Sequence, residues 1–151
     1  MCGIVALFGE DVENSSHLLT HRGPDDFQTK TLGKCRMDFY RLSINDLTDA
    51  GMQPFREGKH MLVCNGEIYN HRDFRTGFEK SASDCAILLP LIKNMGIVNA
   101  VKQINGDFAL VITDGKRIIA ARDPVGVRPL FYTRYAEDSI AFASEAKALL
   151  R

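Results

Sequence analysis

The 151 residues are 45% hydrophobic and 25% charged, a globular composition large enough to bury one substantial core. Nineteen basic and 19 acidic residues balance to a formal charge of +0 and no cationic patch gathers, which argues against a nucleic-acid partner. No apolar run of about 18 residues offers a membrane span and no basic-then-apolar leader is present, so a cytoplasmic protein acting on small molecules is expected.

CGIVALF (2–8) is apolar and β-branched and ends at Gly9, which predicts a strand; residues 15–21 predict a short helix before the break at Gly23-Pro24. Residues 27–33 and 35–44 read as a meander, and the following DLTDAGMQPF as a turn-rich loop. HMLVCNG (60–66) predicts a strand ending on Asn-Gly. In SASDCAILLPLIKNMG, Ser83 or Asp84 is placed to cap a helix whose apolar face runs from Ala86 to Ile92; Pro90 should bend it and Gly96 stop it. A second short helix is expected over 97–104. GDFALVITDG and RIIAARD then form a hairpin through an Asp-Gly-Lys turn, and PLFYTRY and SIAFAS extend the sheet. Strands, helices, then strands with short connections favour antiparallel pairing in stacked sheets with helices outside, as one domain over 1–151.

The chemistry-bearing residues are sparse. Cys2, Cys35, Cys64 and Cys85 show no C-x-x-C pair, so reduced thiols are expected and the last three read as small core residues. His17, His21, His60 and His71 lack metal-ligand spacing, and neither metal nor cofactor is expected. Cys2 is different: once Met1 is removed, one residue carries both a thiol and a free α-amine. With a reference pKa near about 7.7 to 8.0, that amine can accept the thiol proton at physiological pH. Taken one by one, the remaining candidates have bland readings: Asn65-Gly66 a turn dipeptide, Arg41 a solvated strand charge, Asp84 a helix cap.

Together they read otherwise. MCGIVALFG, HRGPDD, RLSIND, GMQPF, CNGEIYNH, SDCAILL, NGDFALVITD, ARDPVGVRPLFY and FASEAKALL, in this order along essentially the whole chain, resemble the class II glutamine amidotransferase domain, and within it the glutaminase domain of asparagine synthetases. The resemblance implies an α+β fold, the four-layer αββα sandwich of N-terminal-nucleophile hydrolases. It implies L-glutamine as substrate and Cys2 as nucleophile, with Asn65 and the Gly66 N–H forming the oxyanion hole. Arg41 would clamp the substrate carboxylate, Asp84 and Glu67 would face its ammonium, and Leu42 and Ile44 would line the pocket through their backbone. Arg22 and Gly23 fall in a loop near the nucleophile. The resemblance gives ARDPVGVRPLFY no catalytic role, and it reads as a salt-bridged corner of Arg122, Asp123 and Arg128.

Three departures qualify the match. Phe39 stands where family members often carry a histidine, and the stretches before His21 and between the NGE and SDC motifs are short. No ATP-binding segment follows FASEAKALLR, so docking onto a separate ATP-dependent synthetase that consumes the ammonia is expected, with a homodimer left open. The alternative is a catalytically inactive glutamine-binding module that regulates or scaffolds such a synthetase.

Overall fold

Position within the sheets sorts the strands by burial. In the computed structural model, which describes residues 1–10, 12, 14–44, 46–74 and 82–150, four strands are largely buried on both faces. These are β1 (Gly3–Phe8), β3 (Cys35–Arg41), β5 (His60–Ile68) and β6 (Gly106–Thr113). The more exposed segments are the edges: β2 (Asp26–Leu32), β4 (Phe55–Glu57), β7 (Ile118–Arg122) and β8 (Phe131–Ala136). With β9 (Ser139–Ala143) they form a five-stranded sheet ordered β2-β3-β1-β9-β8 and a four-stranded sheet ordered β4-β5-β6-β7, antiparallel at every pairing.

Ile4 and Ala6 of β1 with Met37 and Phe39 of β3 pack face to face against Met61 and Val63 of β5 and Val111 of β6, closing the space between the sheets. The outer face of the four-stranded sheet presents Leu62, Cys64, Phe108 and Leu110 to helices α1 (Leu88–Met95) and α2 (Ile97–Gln103). On the opposite side, Val5, Leu7 and Tyr40 are covered by 3₁₀ helices at Ser16–Arg22 and Ala146–Leu149 through Leu19, Ala148 and Leu149. The layer order is that of the αββα sandwich, its layer on the five-stranded sheet built from these 3₁₀ turns. Among the described residues no helix is long and apolar enough to cross a membrane.

Four local differences from the sequence reading have physical causes. The segment expected to run to residue 44 leaves the sheet after Arg41, because Asp46 and Gly51 close around that side chain. Phe55–Glu57, read as loop, pairs with Leu62–His60 as a short edge strand. The helix expected from Ser83 starts as a 3₁₀ turn, Asp84–Ile87, with no side-chain cap from Ser83. Pro90 falls in the first turn of α1, where an N–H would lack an intrahelical partner anyway, so it is accommodated without a kink. The fourth difference concerns Asn65-Gly66, which does not end β5: both residues lie inside it, opposite Ala109 and Phe108. The expected trimmed segment at 75–81 lies outside the described residues.

Candidate active site

One pocket at an end of the sandwich gathers residues from four places in the chain. Cys2 comes from the start of β1, Arg41 from the end of β3, Asn65, Gly66 and Glu67 from β5, and Asp84 from the 3₁₀ turn; Leu42 and Ile44 lie on its lip. Arg22 and Gly23 are not in its wall. They stand behind it.

The Cys2 sulfur lies 3.4 Å from the Leu42 N–H, which points a donor at it. Burial pushes the thiol above its ordinary value, while the Leu42 amide and the chain's amino-terminal charge pull it back. A thiol that stays protonated at neutral pH needs a base before it can attack. The Cys2 carbonyl is gripped from behind: Arg22 Nε donates to it at 3.0 Å, and Arg22 is itself anchored to Glu145 Oε1 at 3.0 Å. Burial raises the Glu145 carboxyl, but hydrogen bonds from Lys147, Arg22 and His21 outweigh it and hold it down at about 2. Gly23 has a separate reason: a Cβ there would stand 2.2 Å from the Tyr40 carbonyl oxygen, so the segment can cross β3 only as glycine. Asp25 completes the HRGPDD motif, accepting the Ser43 N–H at 2.7 Å and so fixing the loop after Arg41.

Arg41 is 6% exposed, which a solvated strand charge would not be. Its guanidinium donates to the Asp46 carbonyl, and Gly51 packs so close that a Cβ would come within 2.8 Å of it. The loop is held in turn by the buried Asp46 carboxylate, which accepts from the Thr48 N–H at 2.9 Å, the Thr48 hydroxyl at 2.7 Å and the Ala82 N–H at 2.8 Å.

The edge of β5 explains Asn65 and Gly66. Phe108 engages its own N–H and C=O with Asp123, on the β7 side. In an antiparallel ladder this makes Gly66–Phe108 a pair whose facing backbone groups do not bond to each other, and the Gly66 N–H turns to the opposite edge of β5. That edge is closed on both sides of it. The Gln53 side chain mimics a strand against Cys64, accepting its N–H at 2.7 Å and donating to its carbonyl at 3.1 Å, and Asp84 Oδ2 accepts the Ile68 N–H at 2.6 Å. Gly66 lies in the gap between them, at the pocket. Beside it, Asn65 is 2% exposed and its Nδ2 has no hydrogen-bond partner among the described residues. A buried donor left unpaired costs on the order of 1–3 kcal/mol, a cost that a structural turn residue would not carry.

The sequence reading missed other parts of this wall. Asp46 and Gln53 carry backbone-holding roles that a D-x-T triplet and a lone glutamine signal weakly. Arg128 also reaches the pocket, and the corner around it is wired differently from the expected Arg122–Asp123–Arg128 salt bridges. Asp123 instead accepts backbone N–H groups of Gly126 at 2.6 Å, Val127 at 2.9 Å and Arg128 at 3.1 Å, while Arg128 pairs with Asp107 at 2.9 Å. Burial raises the Asp123 carboxyl but these amides bring it below its ordinary value.

The two antiparallel sheets between helical layers form the α+β sandwich expected of a glutamine amidotransferase domain. The family model for the glutamine amidotransferase domain matches residues 1–151, and the chain belongs to that family. It is 39% identical over 168 residues to a probable glutamine-hydrolysing asparagine synthetase of Acanthamoeba polyphaga mimivirus, and 39% identical over 166 residues to the glutamine-hydrolysing asparagine synthetase of Homo sapiens. Each alignment takes in 99% of this chain, and the chain spans 30% and 29% of those relatives' lengths. A glutamine phosphoribosylpyrophosphate amidotransferase from B. subtilis shares the fold at a TM-score of 0.79 and 22% identity, over 97% of this chain and 42% of that one.

Proposed function

We propose that this chain hydrolyses the side-chain amide of L-glutamine to glutamate and ammonia, with Cys2 as nucleophile. The observation that carries this reading is the buried Asn65 amide, whose Nδ2 has no partner among the described residues, beside the Gly66 N–H on the outer edge of β5, in one pocket with a thiol, a buried arginine and a buried aspartate. Donors already aimed where negative charge develops are what amide hydrolysis requires.

The steps balance within these residues. Removal of Met1 leaves Cys2 with a neutral α-amine, which takes the thiol proton as sulfur attacks the amide carbon. Asn65 Nδ2 and the Gly66 N–H receive the oxyanion. The ammonium returns the proton to the departing nitrogen, ammonia leaves, and water hydrolyses the thioester to glutamate. Arg41 clamps the substrate carboxylate, Asp84 and Glu67 face its ammonium, and the backbone of Leu42 and Ile44 borders the bound chain. Arg22 acts through the Cys2 carbonyl, holding the nucleophile's backbone in place. The names of the two synthetase relatives favour delivery of the ammonia to an ATP-dependent synthetase unit, with asparagine as first candidate product.

Met1 lines the same pocket, and a retained Met1 would favour a non-catalytic glutamine-binding module instead. Intact-mass measurement of the chain made in its native cell, with an ammonia-release assay on glutamine, tests the proposal. The expected result is a chain beginning at Cys2 whose turnover disappears in Cys2→Ala. Turnover that survives Cys2→Ala would overturn it.

A further inference from the structure

The motif GMQPF places Gln53 two residues before β4, and there it is 4% exposed. β4 pairs Phe55 with Leu62, and the same antiparallel register carried back along the chain sets Gln53 opposite Cys64 and Gly51 opposite Gly66. The backbone does not follow that path. At Gln53 a side-chain amide takes the place of a strand: Oε1 accepts the Cys64 N–H at 2.7 Å and Nε2 donates to the Cys64 carbonyl at 3.1 Å. Paired strands lie about 4.8 Å apart, so reaching β5 through a side chain sets residues 51–53 farther off than strand pairing would. Gly51 packs on the Arg41 guanidinium instead, and the pocket lies in front of Gly66 where a continued β4 would have run.

This bridge joins the two walls of the pocket. On one side is the loop around Arg41, whose guanidinium donates to the Asp46 carbonyl and abuts Gly51. On the other is β5, where the Cys64 carbonyl and the Asn65 nitrogen share one peptide plane, so holding that carbonyl holds the backbone from which the Asn65 side chain and the Gly66 N–H project. A glutamine anchored by its carboxylate and ammonium reaches the oxyanion donors only if the distance between the walls matches its side-chain length, and a misplacement of about 1 Å can cost about 100-fold in rate. Satisfying Cys64 alone does not require a glutamine. Two more residues of β4 would do it, and would close the pocket.

Resting on the glutaminase reading, we propose that Gln53 is a positioning residue: it holds the loop around Arg41 and the Cys64–Asn65 peptide at a fixed separation, so that a glutamine bound by its head group presents its side-chain amide to Asn65 and Gly66. Gln53 touches no reacting atom, and its effect falls on the chemical step rather than on affinity.

Steady-state ammonia release gives kcat, and calorimetric titration of glutamine into a Cys2→Ala background gives Kd without turnover. Gln53→Met keeps the length of the side chain and loses both hydrogen bonds; kcat should fall about 10- to 100-fold while Kd stays within about threefold. Gln53→Asn keeps the amide on a side chain one carbon shorter, which draws the loop toward β5. It should melt closer to the wild type than Gln53→Met does and still lose about tenfold in kcat. In an Asn65→Ala background, Gln53→Met should cost no more than about threefold further, because the side-chain donor it aims is gone. Wild-type kcat in Gln53→Asn, a Kd that weakens in step with kcat, or a loss undiminished in the Asn65→Ala background would overturn the proposal and leave the glutaminase reading in place. A wild-type chain that releases no ammonia would remove both.

Discussion

Two dipeptides that look alike in sequence, Asn65-Gly66 and Asp114-Gly115, have opposite fates. Asp114-Gly115 is the hairpin turn between β6 and β7 that such a pair signals. Gly115 takes φ +83, and Asp114 Oδ1 accepts the N–H groups of Lys116 at 3.0 Å and Arg117 at 2.8 Å. Asn65-Gly66 lies in the middle of a strand. Gly66 needs no left-handed backbone; it needs the absence of a Cβ, which would stand 2.3 Å from the Asp107 carbonyl oxygen and 2.7 Å from Phe108 Cα. The turn aspartate is satisfied by its own neighbours, whereas the strand asparagine buries an unpaired donor. The turn has settled its local hydrogen bonding, and the strand leaves one buried donor without a partner among the described residues.

Substitutions can break this contrast at both places. The largest effect should come from Asn65→Ala, with turnover of glutamine falling about 100- to 1,000-fold in steady-state ammonia release, equivalent to about 2.7–4 kcal/mol of transition-state stabilisation. Its melting temperature should barely move, because the lost amide carried no internal bond. Gly66→Ala should act on the fold as well: β6 must shift to admit the methyl group, and chemical denaturation should show a loss of about 1–3 kcal/mol together with loss of activity.

At the turn, Gly115→Ala should cost about 1–2 kcal/mol by the same denaturation measurement and leave turnover unchanged, since the penalties are the left-handed backbone and a tight contact with Leu32, both away from the pocket. Asp114 should give the smallest effect, read from the pH dependence of stability. Hydrogen bonds from the Lys116 and Arg117 backbone hold its carboxyl at about 2 against an ordinary 3.8. A depressed folded-state value means stabilisation that is present above pH 3.8 and lost as pH falls through about 2. Asp114→Asn should therefore lower stability slightly at neutral pH, where the ionised carboxylate contributes, and flatten the acid limb of the stability-pH curve over that window.

Much of the architecture was legible because hydrophobic periodicity and punctuation agree with the final fold. Strands β1 and β6 are apolar runs and lie in the middle of their sheets, and Gly96 and Asp114-Gly115 sit at real boundaries. Shorter features escaped for want of signal. β4 is a three-residue edge strand defined by its partner, and the end of β3 is set by the loop that wraps Arg41. Among site residues, Cys2, Arg41, Asn65, Gly66 and Asp84 were found through ordered motifs. Arg128 was assigned to a structural corner because nothing in ARDPVGVRPLFY reveals that its guanidinium pairs with Asp107 on β6.

The amino-acid order alone indicated most element types and the antiparallel character of the sheets, and singled out Cys2 among the four thiols, since these depend on local propensity and on side-chain chemistry. Tertiary structure alone decided which donors remain unpaired. The Gly66 N–H faces the pocket because Phe108 is committed to Asp123, and because Gln53 and Asp84 close the β5 edge on either side of it. That outcome depends on register and on contacts between residues far apart in the chain, and no local window of sequence contains either.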